Sequence, residues 1–516
     1  MHSLTTAPPE ALAEQATAEM PTLPEEGQGL LPSASLASKH LLPRTLRTRD
    51  LLIFCLIAVL LVTNIPLVAG AGGASIIYWI IGFLTFLLPS ALVAGQLFRL
   101  FPGEACIYQW FHLAFGNFWD SFLGFFCNWW PGAIGLTVEA GAVVSSLQLL
   151  NASWFQLPWQ QGLVELVVLF VAQLLCWLPH RLFQQMLYVI FPCYLGMMLL
   201  LGGSGLVWLA TGHPIQGNLS TQSWHIGSEN YPVFATVIVA LLGVAIPLNM
   251  GVEMKHRHAG NRALLYGTCI IMIGYLVATF GILVVVPPQD LGNPAFMTEI
   301  FERVFGSGPG HLLGVFNALV LIGYFLCATA VYNQLFSRFL LVASLDRRLP
   351  SWFSRLSPQG VPYHALWFQT GINTLFIACL FFLAPAFAPT NQQFSLAIFL
   401  VVMNGASVVW NAAMIGLFVA GMILFLRYRR ELHACALVAP WVLHLAAIAG
   451  IGASLVAIWS AFFAGSPVPT TLNSQEWGFW VLLIVLTSMA LGALYSYMMP
   501  ESEDLASLLS TQRSSS

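Results

Sequence analysis

Twelve long runs of mostly apolar residues follow one another along this chain, and they dictate the solvent in which it folds. They lie near residues 51–70, 74–97, 121–148, 162–178, 183–210, 231–252, 264–286, 311–341, 364–384, 394–426, 437–463 and 477–498. As helices, runs of this length match the hydrocarbon thickness of a bilayer. Backbone groups find no water there, so each segment must satisfy its own hydrogen bonds as a helix. The expectation is an all-α polytopic membrane protein with about 12 transmembrane helices. With 58% hydrophobic residues, 8% charged residues and a mean hydropathy of +0.80, a water-soluble domain is excluded.

Charge orients the spans, because Lys and Arg are retained on the cytoplasmic side. With the N-terminus inside, Lys39, Arg44, Arg47, Arg49, Arg99, Arg181, Lys255, Arg257, Arg262, Arg338, Arg347, Arg348, Arg355, Arg427, Arg429, Arg430 and Arg513 all fall on that side. Only Arg303 falls outside, so an even number of spans with both termini cytoplasmic is expected in a cell membrane. Residues 1–49 are rich in Pro, Glu, Ala and Ser without an apolar core segment, which predicts a disordered tail and no cleavable leader.

Several chemistries find no support. The nine cysteines fall in spans or cytoplasmic loops, which speaks against a disulfide framework. No Cys/His set has metal-ligand spacing, no GxxxxGK[ST] loop is present, and no span carries a nucleophile with a base. An enzyme, a metal and a cofactor are therefore not expected. Asn151-Ala-Ser and Asn218-Leu-Ser are glycosylation sequons in external loops, patterns too short to carry weight alone.

Two spans carry the same tripeptide, Ile65-Pro66-Leu67 after Thr63-Asn64, and Ile246-Pro247-Leu248 before Asn249. Proline inside a helix removes an N–H and clashes with the carbonyl one turn back. Loosened backbone at membrane depth persists only where protein buries it or a cavity takes it up. Breaks in corresponding segments of two halves point to the midplane site of a secondary transporter. The plainer alternative is two incidental kinks.

Leu88-Pro-Ser-Ala-Leu-Val-Ala-Gly-Gln96, Phe101-Pro-Gly-Glu-Ala-Cys-Ile-Tyr-Gln-Trp110 and Ala114-Phe-Gly116 resemble the second span and following loop of amino acid–polyamine–organocation (APC) permeases. Phe336-Ser-Arg-Phe-Leu-Leu-Val-Ala-Ser-Leu-Asp-Arg-Arg-Leu-Pro-Ser-Trp-Phe353 resembles that family's eighth span and loop, and Leu242–Glu253 its sixth span. The resemblance implies a five-plus-five inverted repeat with broken helices 1 and 6. It divides the chain into a tail at 1–49, a transport core at 50–430, two additional spans at 431–498 and a tail at 499–516. It further implies a substrate pocket at Thr63, Asn64, Ile65 and Pro66, at Gly243, Val244, Ala245, Ile246 and Pro247, and at Gly135 and Tyr332. Half-helix N-termini there suit a carboxylate and freed carbonyls an ammonium. The family's glycine-rich first break reads Val62-Thr63-Asn64 here, the sixth-span acidic position is Ala245, and the second-span glutamate is Gln96. These replacements make the pocket more neutral and point away from a strongly cationic substrate.

Glu139 shares a helix face with Gly135 at i, i+4, inside the third span. It is either a proton carrier or a carboxyl hydrogen-bonded to a neighbouring span. Glu165, near the outer end of the fourth span, reads as a solvated headgroup-level residue. Glu253 reads as a salt-bridged helix end or as part of an inner gate with Arg338 and Arg348. Trp129-Trp130-Pro131 reads as packing, Asn404 and Asn411 as hydrogen bonds between helices, and His444 as structural. The expected function is secondary active transport of an amino acid or amino-acid-derived amine by alternating access, coupled to H+ or to exchange. The alternative is a transporter-like sensor that binds the same ligand and signals through a partner. The expected partners are that small molecule and the lipid bilayer.

Overall fold

The computed structural model describes residues 42–227, 230–256, 258–291, 296–357, 360–387, 394–463 and 472–498. Most of both tails lies outside the described residues, and with them Lys39, Arg257 and Arg513. Apart from two isolated β-bridges, the regular structure among the described residues is helical.

We number the helices α1 (Thr48–Val59), α2 (Asn64–Ala69), α3 (Ala74–Leu100), α4 (Cys106–Phe115), α5 (Asn117–Leu150), α6 (Pro158–Cys176), α7 (His180–Ala210) and α8 (Pro232–Ala240). There follow α9 (His258–Val285), α10 (Phe296–Phe305), α11 (Pro309–Leu345), α12 (Tyr363–Leu383), α13 (Phe394–Arg427), α14 (Arg429–Cys435), α15 (Pro440–Phe463) and α16 (Ser474–Met498). Ten of these are long and apolar enough to cross a membrane: α3, α5, α6, α7, α9, α11, α12, α13, α15 and α16. The two expected spans missing from that set, 51–70 and 231–252, are the two that carry the paired prolines.

Both are interrupted, one turn upstream of the tripeptides themselves. Helix α1 ends at Val59, and α2 resumes at Asn64 with Pro66 already in its first turn. Helix α8 ends at Ala240, and Ile246–Asn249 form only a 3₁₀ turn, so the sixth segment stays irregular to the start of α9. The displacement follows from how proline acts, because its ring and missing N–H fall on the carbonyl four residues back. Those carbonyls belong to Val62 and Gly243, and each is taken by an isoleucine amide three residues on. Ile65 N donates to Val62 O at 3.1 Å and Ile246 N to Gly243 O at 2.9 Å.

The long helices pack through small residues and buried amides. Gly202 and Gly205 on α7 face Gly281 on α9 so closely that a Cβ on Gly281 would collide with the Leu201 carbonyl. Gly281→Leu is therefore expected to separate α7 from α9 and abolish the monodisperse folded peak in fluorescence-detected size-exclusion chromatography. An unchanged peak would show that the contact is dispensable.

A polar lattice joins α5, α6, α11 and α12. Trp129 Nε1 donates to Gln369 Oε1 (2.9 Å), Thr137 Oγ1 to Asn373 Oδ1 (2.7 Å), and Asn333 Nδ2 to Gln173 Oε1 (2.9 Å) and Thr370 Oγ1 (3.2 Å). Each bond links two helices where unmade bonds are costly. Trp129 is thus a packing residue. Pro131 lies inside α5 just after a π-helical turn at Asp120–Phe126, and Asn128 Nδ2 donates to the Leu123 carbonyl there (2.8 Å).

Candidate functional site

Unwinding the first span leaves amides and carbonyls that need partners away from water. Tyrosine hydroxyls from three other helices supply them. Tyr194 on α7 donates to Leu60 O (2.7 Å) and accepts from Val62 N (3.0 Å). Tyr275 on α9 donates to Val59 O (2.5 Å) and accepts from Leu61 N (3.1 Å). From α11, Tyr324 donates to Leu60 O (3.0 Å) and Tyr332 to Ala58 O (2.8 Å). Tyr194 and Tyr324 stack, with ring centroids 3.6 Å apart.

The second break meets the first at this point. Gly243 has φ +100°, a conformation that favours glycine, and a Cβ there would lie 3.2 Å from Ala58 O. Gly135 faces the Tyr332 ring, which a Cβ would approach to 3.2 Å. Val244, Ala245, Ile246 and Pro247 are all buried beside the break. The first-span residues divide: Ile65 is buried, Asn64 and Pro66 are half-buried, and Thr63 is exposed. A cavity of about 10 Å³ beside Val62 and Tyr194 has room for about one water.

Glu139 lies on the same face of α5 as Gly135 and is 2% exposed. Its Oε2 has no hydrogen-bond partner among the described residues. The phenols of Tyr332, Tyr324, Tyr275 and Tyr194 lie within electrostatic range of it. Of its two expected readings, the carboxyl bonded to a neighbouring span has no support at Oε2. Glu165 corrects a second expectation, since it is 4% exposed and packs against Gly141 of α5 rather than facing solvent. It sits two turns into α6 on the face turned to α5, so proximity to a helix end does not expose it.

A layer of charge closes one end of the breaks. Arg338 of α11 donates from Nε to Glu253 Oε1 at 2.7 Å, and Glu104 Oε1 lies 3.4 Å from the same nitrogen. All three side chains are buried. Glu104 Oε2 accepts from Val252 N (3.2 Å), and Ala105 N donates to Asn249 O (2.7 Å), so the loop after α3 is stitched to the sixth segment. The segment before α1 is stitched there too, by Leu46 N to Glu253 O and Lys255 N to Leu46 O, both 2.9 Å. Glu253 is therefore ion-paired as expected, with Arg338 but not with Arg348. Arg348 pairs with Asp120 instead (2.7 Å), which His112 also contacts (2.8 Å), in a second buried cluster.

Burial holds the Glu104 carboxyl well above the ordinary carboxylate range, and Glu253 pushes it further, against the opposing pull of Arg338. A carboxyl raised in the folded state contributes stability that is present below its unfolded value and lost as pH rises through the folded one. The protein's melting temperature is expected to fall as pH rises above the ordinary carboxylate range, and Glu104→Gln is expected to flatten that fall. Melting curves across pH that coincide for the two proteins would exclude Glu104 as the origin.

Tyr332, Gly135, Glu139 and the sixth-segment residues are thus brought together, and Glu253 lies in the charged layer. Sequence reasoning missed Tyr194, Tyr275, Tyr324, Glu104 and Asp120. A polar residue isolated in an apolar run was the available signal for the tyrosines. Asn404 bonds across helices to Ala461 O (3.1 Å), whereas Asn411 bonds to Ser407 O within its own helix (2.9 Å). His444 likewise bonds to Pro440 O in its own helix (2.8 Å).

A polytopic bundle whose two broken spans meet beside a buried acid has the build of a membrane transporter. The chain belongs to the amino acid permease family, whose model matches residues 50–490. It is similar to an uncharacterized transporter of Legionella pneumophila, with 25% identity over 351 residues, 65% of this chain and 74% of that protein. It is similar to the probable agmatine/putrescine antiporter AguD of Lactococcus lactis, with 24% identity over 325 residues, 62% and 68% of the two chains. A shorter match, 24% over 158 residues and 30% and 28% of the two chains, is to the arginine/ornithine antiporter ArcD1 of Lactococcus lactis.

Proposed function

We propose that the protein carries an amino acid or amino-acid-derived amine across the cell membrane by alternating access, driven by H+ or by exchange. The observation that carries this reading is the meeting of the two breaks, where Gly243 lies against the Ala58 carbonyl and Tyr332 bonds to that same carbonyl. The pocket is centred on Gly135, Tyr332, Glu139 and Gly243–Pro247, with both termini in the cytoplasm. The Arg338–Glu253–Glu104 layer is the inner gate, which parts when the site opens to that side. The relatives named as antiporters of agmatine/putrescine and of arginine/ornithine support exchange.

The test is uptake of labelled amino acids and polyamines into proteoliposomes under an imposed pH gradient, a sodium gradient, or the same substrate preloaded inside. Uptake driven by one condition identifies substrate class and coupling together. Intact protein that a ligand stabilises but that moves nothing would replace the permease with a sensor.

A further inference from the structure

Glu139 presents a charge problem that the rest of the core leaves open. An acceptor that is buried and unpartnered calls for an explanation, since leaving one unmade is expensive. At membrane depth an ionisable side chain pairs with another group or marks a ligand path. The groups that face Glu139 electrostatically are the phenols of Tyr194 on α7, Tyr275 on α9, and Tyr324 and Tyr332 on α11. None supplies a positive charge. Arg338, the cation on α11, is committed to Glu253 and Glu104. Glu165 on α6 lies against Gly141, on another face of α5.

Four of the amides in the first break are also spent. Leu61 N and Val62 N bond to tyrosine hydroxyls, and Asn64 N and Ile65 N bond to backbone carbonyls. Acceptors remain, because Tyr332 gives its proton to Ala58 O and keeps its oxygen lone pairs. Gly135, one turn before Glu139 on the same face, packs against the Tyr332 ring.

We infer that Glu139 and the Tyr332 hydroxyl oxygen form a site for the primary ammonium of a substrate whose net charge is +1. This rests on the transport reading above. Charge balance selects the class. A zwitterion brings no net charge to exchange for the proton of the acid, a monocation replaces that proton one for one, and a dication leaves one charge over. When no amine is bound, a lone carboxylate is the costly form in this core, so the acid keeps its proton. Arrival of the ammonium replaces that proton: the O–H bond of Glu139 breaks, the proton passes to water, and the carboxylate accepts from the ammonium N–H. One proton leaves for each amine bound, so the exchange is electroneutral.

The experiment is calorimetric binding to the full-length protein in detergent, using leucine, 3-methylbutylamine (leucine without its carboxylate), lysine and cadaverine. The two monocations, 3-methylbutylamine and lysine, are expected to bind at least about tenfold more tightly than leucine or cadaverine. Comparing the pair distinguishes a simple amine from a cationic amino acid. Glu139→Gln is expected to weaken the monocations about 10- to 100-fold. Titration in buffers of different ionisation heat is expected to count one proton released per amine. Leucine binding more tightly than 3-methylbutylamine, unaltered binding by Glu139→Gln, or no proton release would overturn the site. If Glu139→Gln does not fold, the proton count on the parent protein decides. Leucine uptake undiminished by Glu139→Gln would remove the site and keep the permease. Amine binding with proton release but no uptake would do the reverse.

Discussion

Arg338→Met is expected to destabilise the closed protein by about 3–5 kcal/mol, the usual cost of leaving a buried charge partner alone. The size follows from the arrangement: Glu253 at 2.7 Å and Glu104 at 3.4 Å from the same nitrogen are left facing one another without a cation. Adding Glu104→Gln and Glu253→Gln to the same protein is expected to restore most of the loss, because a neutral polar set carries no uncompensated charge. Thermal unfolding in detergent reads both effects. If Arg338→Met melts like the parent, the cluster is not what holds that end shut. If the triple variant melts no higher than Arg338→Met, its cost comes from lost packing of the arginine stem and not from charge.

Tyr194→Phe and Tyr275→Phe are each expected to cost roughly 1–3 kcal/mol, since the first strands the Val62 amide and leaves Leu60 O to Tyr324 alone, and the second leaves Leu61 N and Val59 O only their bond to each other. The double variant is not expected to be additive, because both hydroxyls serve the same few residues. Hydrogen–deuterium exchange of residues 58–65 gives the local readout. Faster exchange there, with other spans unchanged, is the expected pattern. Protection equal to that of the parent would show that the break is held by packing alone.

The fold was legible because span length and apolarity are set by the bilayer itself, and ten of the twelve runs are continuous membrane-length helices. The breaks were legible because proline has a definite chemistry, yet they were placed a turn late, since that chemistry acts on the carbonyl four residues back. Tyr332 and Gly135 were reached through a family resemblance, and Glu139 through the cost of an acid inside a span. Tyr194, Tyr275 and Tyr324 were not, because one tyrosine in an apolar run usually belongs to the core, and only three-dimensional neighbours reveal that its hydroxyl mends a distant backbone. Glu104 was missed for the opposite reason. Acids in loops are mostly solvated, but this loop is pinned to the sixth segment and its glutamate is fully buried.

The stitch between Leu46 and the residues around Glu253 gives the amino-terminal approach to the first span a mechanical role. Any pull on that segment is delivered directly to the latch between Arg338 and its two acids. A fusion partner or affinity tag placed ahead of it thus loads the Arg338–Glu253–Glu104 cluster, whereas a fluorophore attached near Leu42 reports on any movement of that cluster.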